Sequence, residues 1–216
     1  CLAVYFNQSS YVYHPDRDVT ETPLTVGLNY REVFIETDDG EKICAWHVPA
    51  DGKAHVLFCH GNGGDMGDCV GSVKAFNSLG LDVLIFDYRG YGKSSGKPDE
   101  KGTYSDAEAA WNFLLREFGV LPSKIVVYGK SLGGAVAAWL GERKNPGCLV
   151  LDSSLSSAPD MARDMFPLLP VGLICGFSYD AAGTVRRVKC PVLVAHSPND
   201  ETVGIFICRA ISSPLR

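Results

Sequence analysis

The stretch Ile125-Val126-Val127-Tyr128-Gly129-Lys130-Ser131-Leu132-Gly133-Gly134-Ala135-Val136-Ala137-Ala138-Trp139-Leu140 decides how the chain is read. Its first four residues are β-branched or aromatic and read as a strand, whereas 131–143 is rich in alanine and leucine and reads as a helix. At the junction, Gly129-Lys130-Ser131-Leu132-Gly133 fits G-x-S-x-G. Glycines two before and two after the serine leave room for a strained turn that lifts Oγ above the sheet. The helix behind it points its N-terminal dipole at developing negative charge. Ser131 is therefore the candidate nucleophile; a serine that merely caps a helix after a strand is the alternative.

Working outward, short apolar runs recur at 56–59, 83–86, 149–151 and 192–195, as strands buried on both faces do. Residues 105–118 carry Ala109, Phe113 and Leu114 at helical spacing. Strand and helix in alternation predict an α/β fold, a mostly parallel sheet with helices on both faces. Ahead of it, 30–37 and 42–48 flank Asp38-Asp39-Gly40, whose Asp-Gly pair suits a tight turn, and so predict an N-terminal antiparallel hairpin. Residues 153–187 break the rhythm with Pro159, Pro167 and Pro170 and an apolar patch of Leu168, Leu169, Val171, Leu173 and Ile174. They predict a short cap-like insertion over the top of the sheet. The organisation is one domain over 30–216, preceded by an N-terminal extension over 1–29.

A second glycine-rich loop, Phe58-Cys59-His60-Gly61-Asn62-Gly63-Gly64, ends the strand expected beside the serine strand. Acyl transfer creates an oxyanion, which two preorganised backbone N–H groups stabilise. The candidates are those of Leu132, directly after the serine, and Asn62 in this loop. A phosphate-binding loop is the alternative, but neither G-x-G-x-x-G nor G-x-x-x-x-G-K-[ST] can be fitted. Asp200, in the loop after 192–195, stands downstream of the serine, as the order Ser, acid, His requires. An aspartate in Pro198-Asn199-Asp200-Glu201 is also ordinary turn chemistry, and Asp152 at the end of the preceding strand is the competing acid. Asp87 precedes the serine and is expected to pin a loop with Arg89.

The 216 residues are 46% apolar and 21% charged, enough for one sizeable core. A formal charge of −5 without a basic cluster disfavours nucleic acid as a partner. The eight cysteines are scattered without a C-x-x-C pair, which reads as buried free thiols in a reducing compartment, cytoplasmic or facing it from a membrane. No window approaches the roughly 20 apolar residues of a membrane-spanning helix. The apolar start at Cys1 is read as the tail of a removed signal or the last turn of an anchor, leaving membrane association through an N-terminal anchor as an expectation.

The loop 58–64, Phe86-Asp87-Tyr88-Arg89-Gly90-Tyr91-Gly92-Lys93-Ser94, Gly129-Lys130-Ser131-Leu132-Gly133-Gly134 and Cys190-Pro191-Val192-Leu193-Val194 resemble, in order and spacing, the α/β-hydrolase superfamily. The nearest likeness is to its serine aminopeptidase and monoacylglycerol-lipase-like branch, particularly a membrane-anchored group that includes protein depalmitoylases. Tyr13-His14-Pro15-Asp16-Arg17 resembles the segment that follows the anchor there. The resemblance covers about residues 11 to 210. It implies a Ser-Asp-His triad, no metal, no organic cofactor, and hydrolysis of an ester, thioester or amide on a small-molecule or acylated-protein substrate. In such a family the histidine follows the acid beyond one more helix and a last strand. None of the five histidines here follows Asp200. The expectation is a C-terminally truncated fragment lacking the last strand, inactive as it stands. A non-catalytic binding module on the same fold and a serine peptidase are the other readings.

Overall fold

The structure, a computed structural model, describes residues 8–52, 54–168 and 170–197. A short helix α1 (Gln8–Val12) leads into β1 (His14–Pro15). Strands β2 (Arg31–Glu36) and β3 (Lys42–Val48) follow, then β4 (His55–Cys59) and the two-residue β5 (Gly63–Gly64). Helix α2 (Val70–Ser78) returns to β6 (Asp82–Phe86), and helix α3 (Glu100–Phe118) to β7 (Ile125–Lys130). Helix α4 (Leu132–Lys144) precedes β8 (Cys148–Asp152), after which α5 (Ala158–Met165), α6 (Val171–Ile174) and α7 (Ala181–Val185) lead to β9 (Val192–Ala195).

Seven strands form one sheet in the order β2-β3-β6-β4-β7-β8-β9. The opening hairpin is antiparallel, with Val33 opposite Ala45, and β3 meets β6 antiparallel; every later pairing is parallel. The hairpin turn uses Gly40 at φ 88°, a conformation that costs glycine little. Central strands carry unbroken apolar runs between their end residues because both faces are covered. Leu57, Cys59, Leu84, Phe86, Val127 and Leu151 pack with α3 and α4 through Trp111, Leu114, Val136 and Leu140. Val56, Phe58, Val83 and Ile85 pack on the other face with Trp46, Met66 and Val73. The full burial of Trp46 and Trp111 anchors one on each side; truncating either to alanine removes about 3–5 kcal/mol on general grounds.

Strand β9 is covered less than the central strands. Its residues alternate half-buried and exposed, with Leu193 57% exposed, and among the described residues β9 pairs with β8 alone. Helix α3 starts at Glu100 rather than at 105: the Asp99 carboxylate caps it by accepting from the N–H of Gly102 at 2.8 Å. Residues 153–187 hold the three short helices α5 to α7, of which α7 buries Ala181, Thr184 and Val185. No helix of the described residues is long and apolar enough to cross a membrane.

Candidate active site

From β4 the chain crosses to β6 on one side, while β7 lies on the other. The loops that follow β4 and β7 therefore part in opposite directions at the C-terminal ends of adjacent strands, where open α/β sheets form a ligand crevice. The loop after β4 is 60–64, and the residue directly after β7 is Ser131.

Ser131 sits at φ 52°, ψ −119°, outside the regions open to an ordinary side chain. It precedes α4, yet its side chain makes no capping hydrogen bond, so the helix-cap alternative does not account for it. The bend is held by the backbone, with Ser131 N–H donating to the Asp152 carbonyl at 2.9 Å and Gly134 N–H to the Ser131 carbonyl at 3.0 Å. The spacing of G-x-S-x-G follows from close approach. A Cβ at Gly133 would overlap the carbonyl oxygens of Cys59 and His60, and one at Gly129 would lie 2.6 Å from Ala137 Cβ. Without side chains at these two positions the helix start packs directly onto the end of β4, bringing the two loops together. A Cβ built on Gly61 would stand 3.6 Å from Ser131 Cβ.

The β4 loop is fastened from inside and outside. His60 is 1% exposed, its Nδ1 lying 2.7 Å from the Gly61 carbonyl and its Nε2 3.5 Å from Asp87 Oδ1. Tyr88 Oη donates to the His60 carbonyl at 3.1 Å. Burial pushes the His60 imidazole down to about 4 and the Asp87 carboxyl up to about 8, so both are uncharged near neutrality. Asp87 does not pin its loop with Arg89. Asp87 Oδ1 instead accepts from Met66 N–H at 2.7 Å, while Arg89 bonds Asp106 and Asp39. Outside, Asn62 Nδ2 donates to the Val12 carbonyl, and Tyr91 Oη donates to the Asn62 carbonyl at 2.7 Å and to Asn62 Oδ1 at 3.0 Å.

The structure brings Ser131, Leu132 and the Asn62 loop into one place; Asp200 lies outside the described residues. The Asp152 carboxylate accepts from Tyr128 Oη, while its main chain holds Ser131. No histidine hydrogen-bonds Ser131 among the described residues. His196 follows β9, two strands from β7 and so on the order of 10 Å across the sheet. His47 and His55 share Asp82 at the opposite end of the sheet, at 3.8 and 3.5 Å. In the insertion, Met165, Phe166 and Leu168 are 60, 50 and 97% exposed, so they are not core. The six described cysteines are free, and burial pushes Cys44 up to about 12 and Cys69 up to about 11, leaving inert thiols.

A parallel sheet carrying a strained serine between β7 and α4, beside a glycine-rich loop at the switch point, defines the class of α/β hydrolases. The chain belongs to the alpha/beta hydrolase fold family, whose model matches residues 54–204. It is 35% identical over 206 residues to an uncharacterised protein of Mycobacterium tuberculosis, covering 94% of this chain and 73% of that one. It is 32% identical over 176 residues to alpha/beta hydrolase domain-containing protein 17B of Homo sapiens, covering 80% of this chain and 60% of that protein. An esterase of Pyrococcus furiosus superposes with a TM-score of 0.78 at 25% identity, covering 93% of this chain and 82% of that one. Family and esterase neighbour together support a hydrolase.

Proposed function

We propose that this domain is a serine hydrolase that cleaves a carboxylic ester or thioester through an acyl-enzyme. The observation that carries the reading is the Ser131 backbone, held at φ 52° without a capping hydrogen bond and beside the glycine loop of β4. In this mechanism Ser131 Oγ attacks the acyl carbonyl. The N–H groups of Asn62 and Leu132 receive the developing oxyanion, and water later releases the acyl group. The Asn62 assignment is supported by its other polar groups: carbonyl, Oδ1 and Nδ2 are all engaged, which leaves the N–H to a ligand. Asp200 is the proposed acid, because it stands downstream of the serine in the order Ser, acid, His; Asp152, the competing acid, accepts from Tyr128 Oη through Oδ2.

The proton acceptor is the role that none of the five histidines fills by contact with Ser131. The exposed Met165, Phe166 and Leu168 offer apolar surface to an acyl chain, and the length of that chain is the variable to test. A panel of p-nitrophenyl esters of graded chain length, run on the protein and on Ser131→Ala, tests the reading. Turnover that rises with chain length and vanishes in Ser131→Ala is expected. Turnover that survives the substitution contradicts the nucleophile, and no turnover on any ester favours the binding-module reading.

A further inference from the structure

We propose that Tyr91 and the N-terminal strap formed by residues 12–16 are positioning elements that hold the oxyanion donor of Asn62 in place. The inference rests on the serine-hydrolase reading above and extends it to residues with no part in the chemistry itself.

Three of the four polar groups of Asn62 are tied, and all three ties lead to these elements. Tyr91 Oη bonds both the carbonyl and Oδ1, while Nδ2 reaches the Val12 carbonyl. Neither anchor is loose. Tyr91 is fully buried, its ring 5.5 Å from that of His60 and 6.0 Å from that of Tyr88. Beyond Val12, His14–Pro15 adds a parallel strand to Gly63–Gly64, and Asp16 N–H donates to the Gly64 carbonyl at 2.9 Å. Gly92 N–H donates to the Asp16 carbonyl at 2.7 Å, which closes the strap onto the Tyr91 loop. The adjacent Tyr13, 4% exposed, joins Tyr179 Oη at 2.7 Å, and Tyr179 joins Thr103 at 3.0 Å. Residues 12–16 thus run between the oxyanion loop and the insertion and bond to both.

This arrangement matters because an oxyanion donor acts through preorganisation. A glycine-rich loop has little stiffness of its own, and a donor that must reorient during the reaction gives up most of its effect. Two changes isolate the positioning role. Tyr91→Phe removes a hydroxyl but keeps the buried ring, and Asn62→Ala removes the side-chain ties but keeps the backbone N–H that does the work. Each is expected to lower kcat on a p-nitrophenyl ester by about 10- to 100-fold, short of the roughly 10²- to 10³-fold that follows loss of a donor. KM should change less than about twofold, because the donor acts on the transition state.

The measurements use the full chain, with kcat counted per Ser131 titrated by a fluorophosphonate and the midpoint of thermal unfolding recorded alongside. The double variant should lose less than the product of the single losses, since both changes release one residue. Values of kcat per titrated serine within twofold of wild type in both single variants overturn the proposal, even if the unfolding midpoint falls, because that pattern marks a purely structural role. A wild-type protein with no titratable Ser131 overturns the hydrolase reading itself and this inference with it, an outcome distinct from a wild type that titrates and variants that keep their rate.

Discussion

At the scale of single residues, the backbone of Ser131 stores strain on the order of 1–3 kcal/mol, which the packing of Gly129 and Gly133 against neighbouring main chain holds in place. Beneath it, Asp87 and His60 form a buried pair whose ionisation is suppressed on both sides. Folded Asp87 keeps its proton to about pH 8, whereas an unfolded aspartic acid loses it near 3.8. Across that window unfolding releases a proton, so this residue makes stability fall as pH rises. His60 acts in the opposite sense between about 4 and 6.5, because the unfolded chain takes up a proton that the buried ring refuses. Asp87→Asn mimics the protonated acid and keeps an acceptor for Met66 N–H. Its stability relative to wild type should therefore rise as pH increases from about 4 to about 8, as read from urea midpoints at several pH values. A constant difference across that range contradicts a protonated Asp87. The G-x-S-x-G spacing was legible because its cause is local, a turn too tight for side chains. The partner of Asp87 was not, since Met66 and His60 come from the loop after β4 and only the folded sheet brings them together.

Among the elements, Arg89 fastens three that the sequence separates. Its guanidinium donates to Asp106 on α3 at 3.0 and 2.9 Å and to Asp39 in the hairpin turn at 2.7 and 3.0 Å, from the loop after β6. Asp106 is fully buried, and burial pushes its carboxyl up to about 6 even with this partner. Arg89→Met should destabilise the domain by about 3–5 kcal/mol, because it leaves Asp106 buried and unpaired. Arg89→Met combined with Asp106→Leu should recover a large part of that loss, and denaturant unfolding of the two variants measures both. Equal stability of Arg89→Met and wild type contradicts the clamp. The central strands could be read from their apolar runs because both faces are covered, and the hairpin from its Asp-Gly turn. The first turn of α3 was missed because Lys101, Gly102 and Thr103 carry no helical apolar pattern; a side-chain cap from Asp99 starts the helix instead. The strap of residues 12–16 was equally hidden. The two-residue pairing of His14–Pro15 with Gly63–Gly64 depends on a contact distant in sequence.

For the molecule as a whole, strand order determines where chemistry can occur. Placing β4 between β6 and β7 opens the sheet at one point, and two glycine clusters meet there, the loop 61–64 and the bend around Ser131. Residues 153–187 and the N-terminal segment are joined through Tyr13, Tyr179 and Gln8, whose amide bonds the Ile174 carbonyl at 2.7 Å and accepts from Gly176 N–H at 2.6 Å. A hydroxyl so placed should react with an acyl-like electrophile when other serines do not. The most direct test is to treat the protein with a fluorophosphonate and locate the adduct by peptide mass spectrometry. A single adduct on Ser131, absent from Ser131→Ala, is the predicted result; an unmodified Ser131, or labelling that persists at another serine after the substitution, would contradict the assignment.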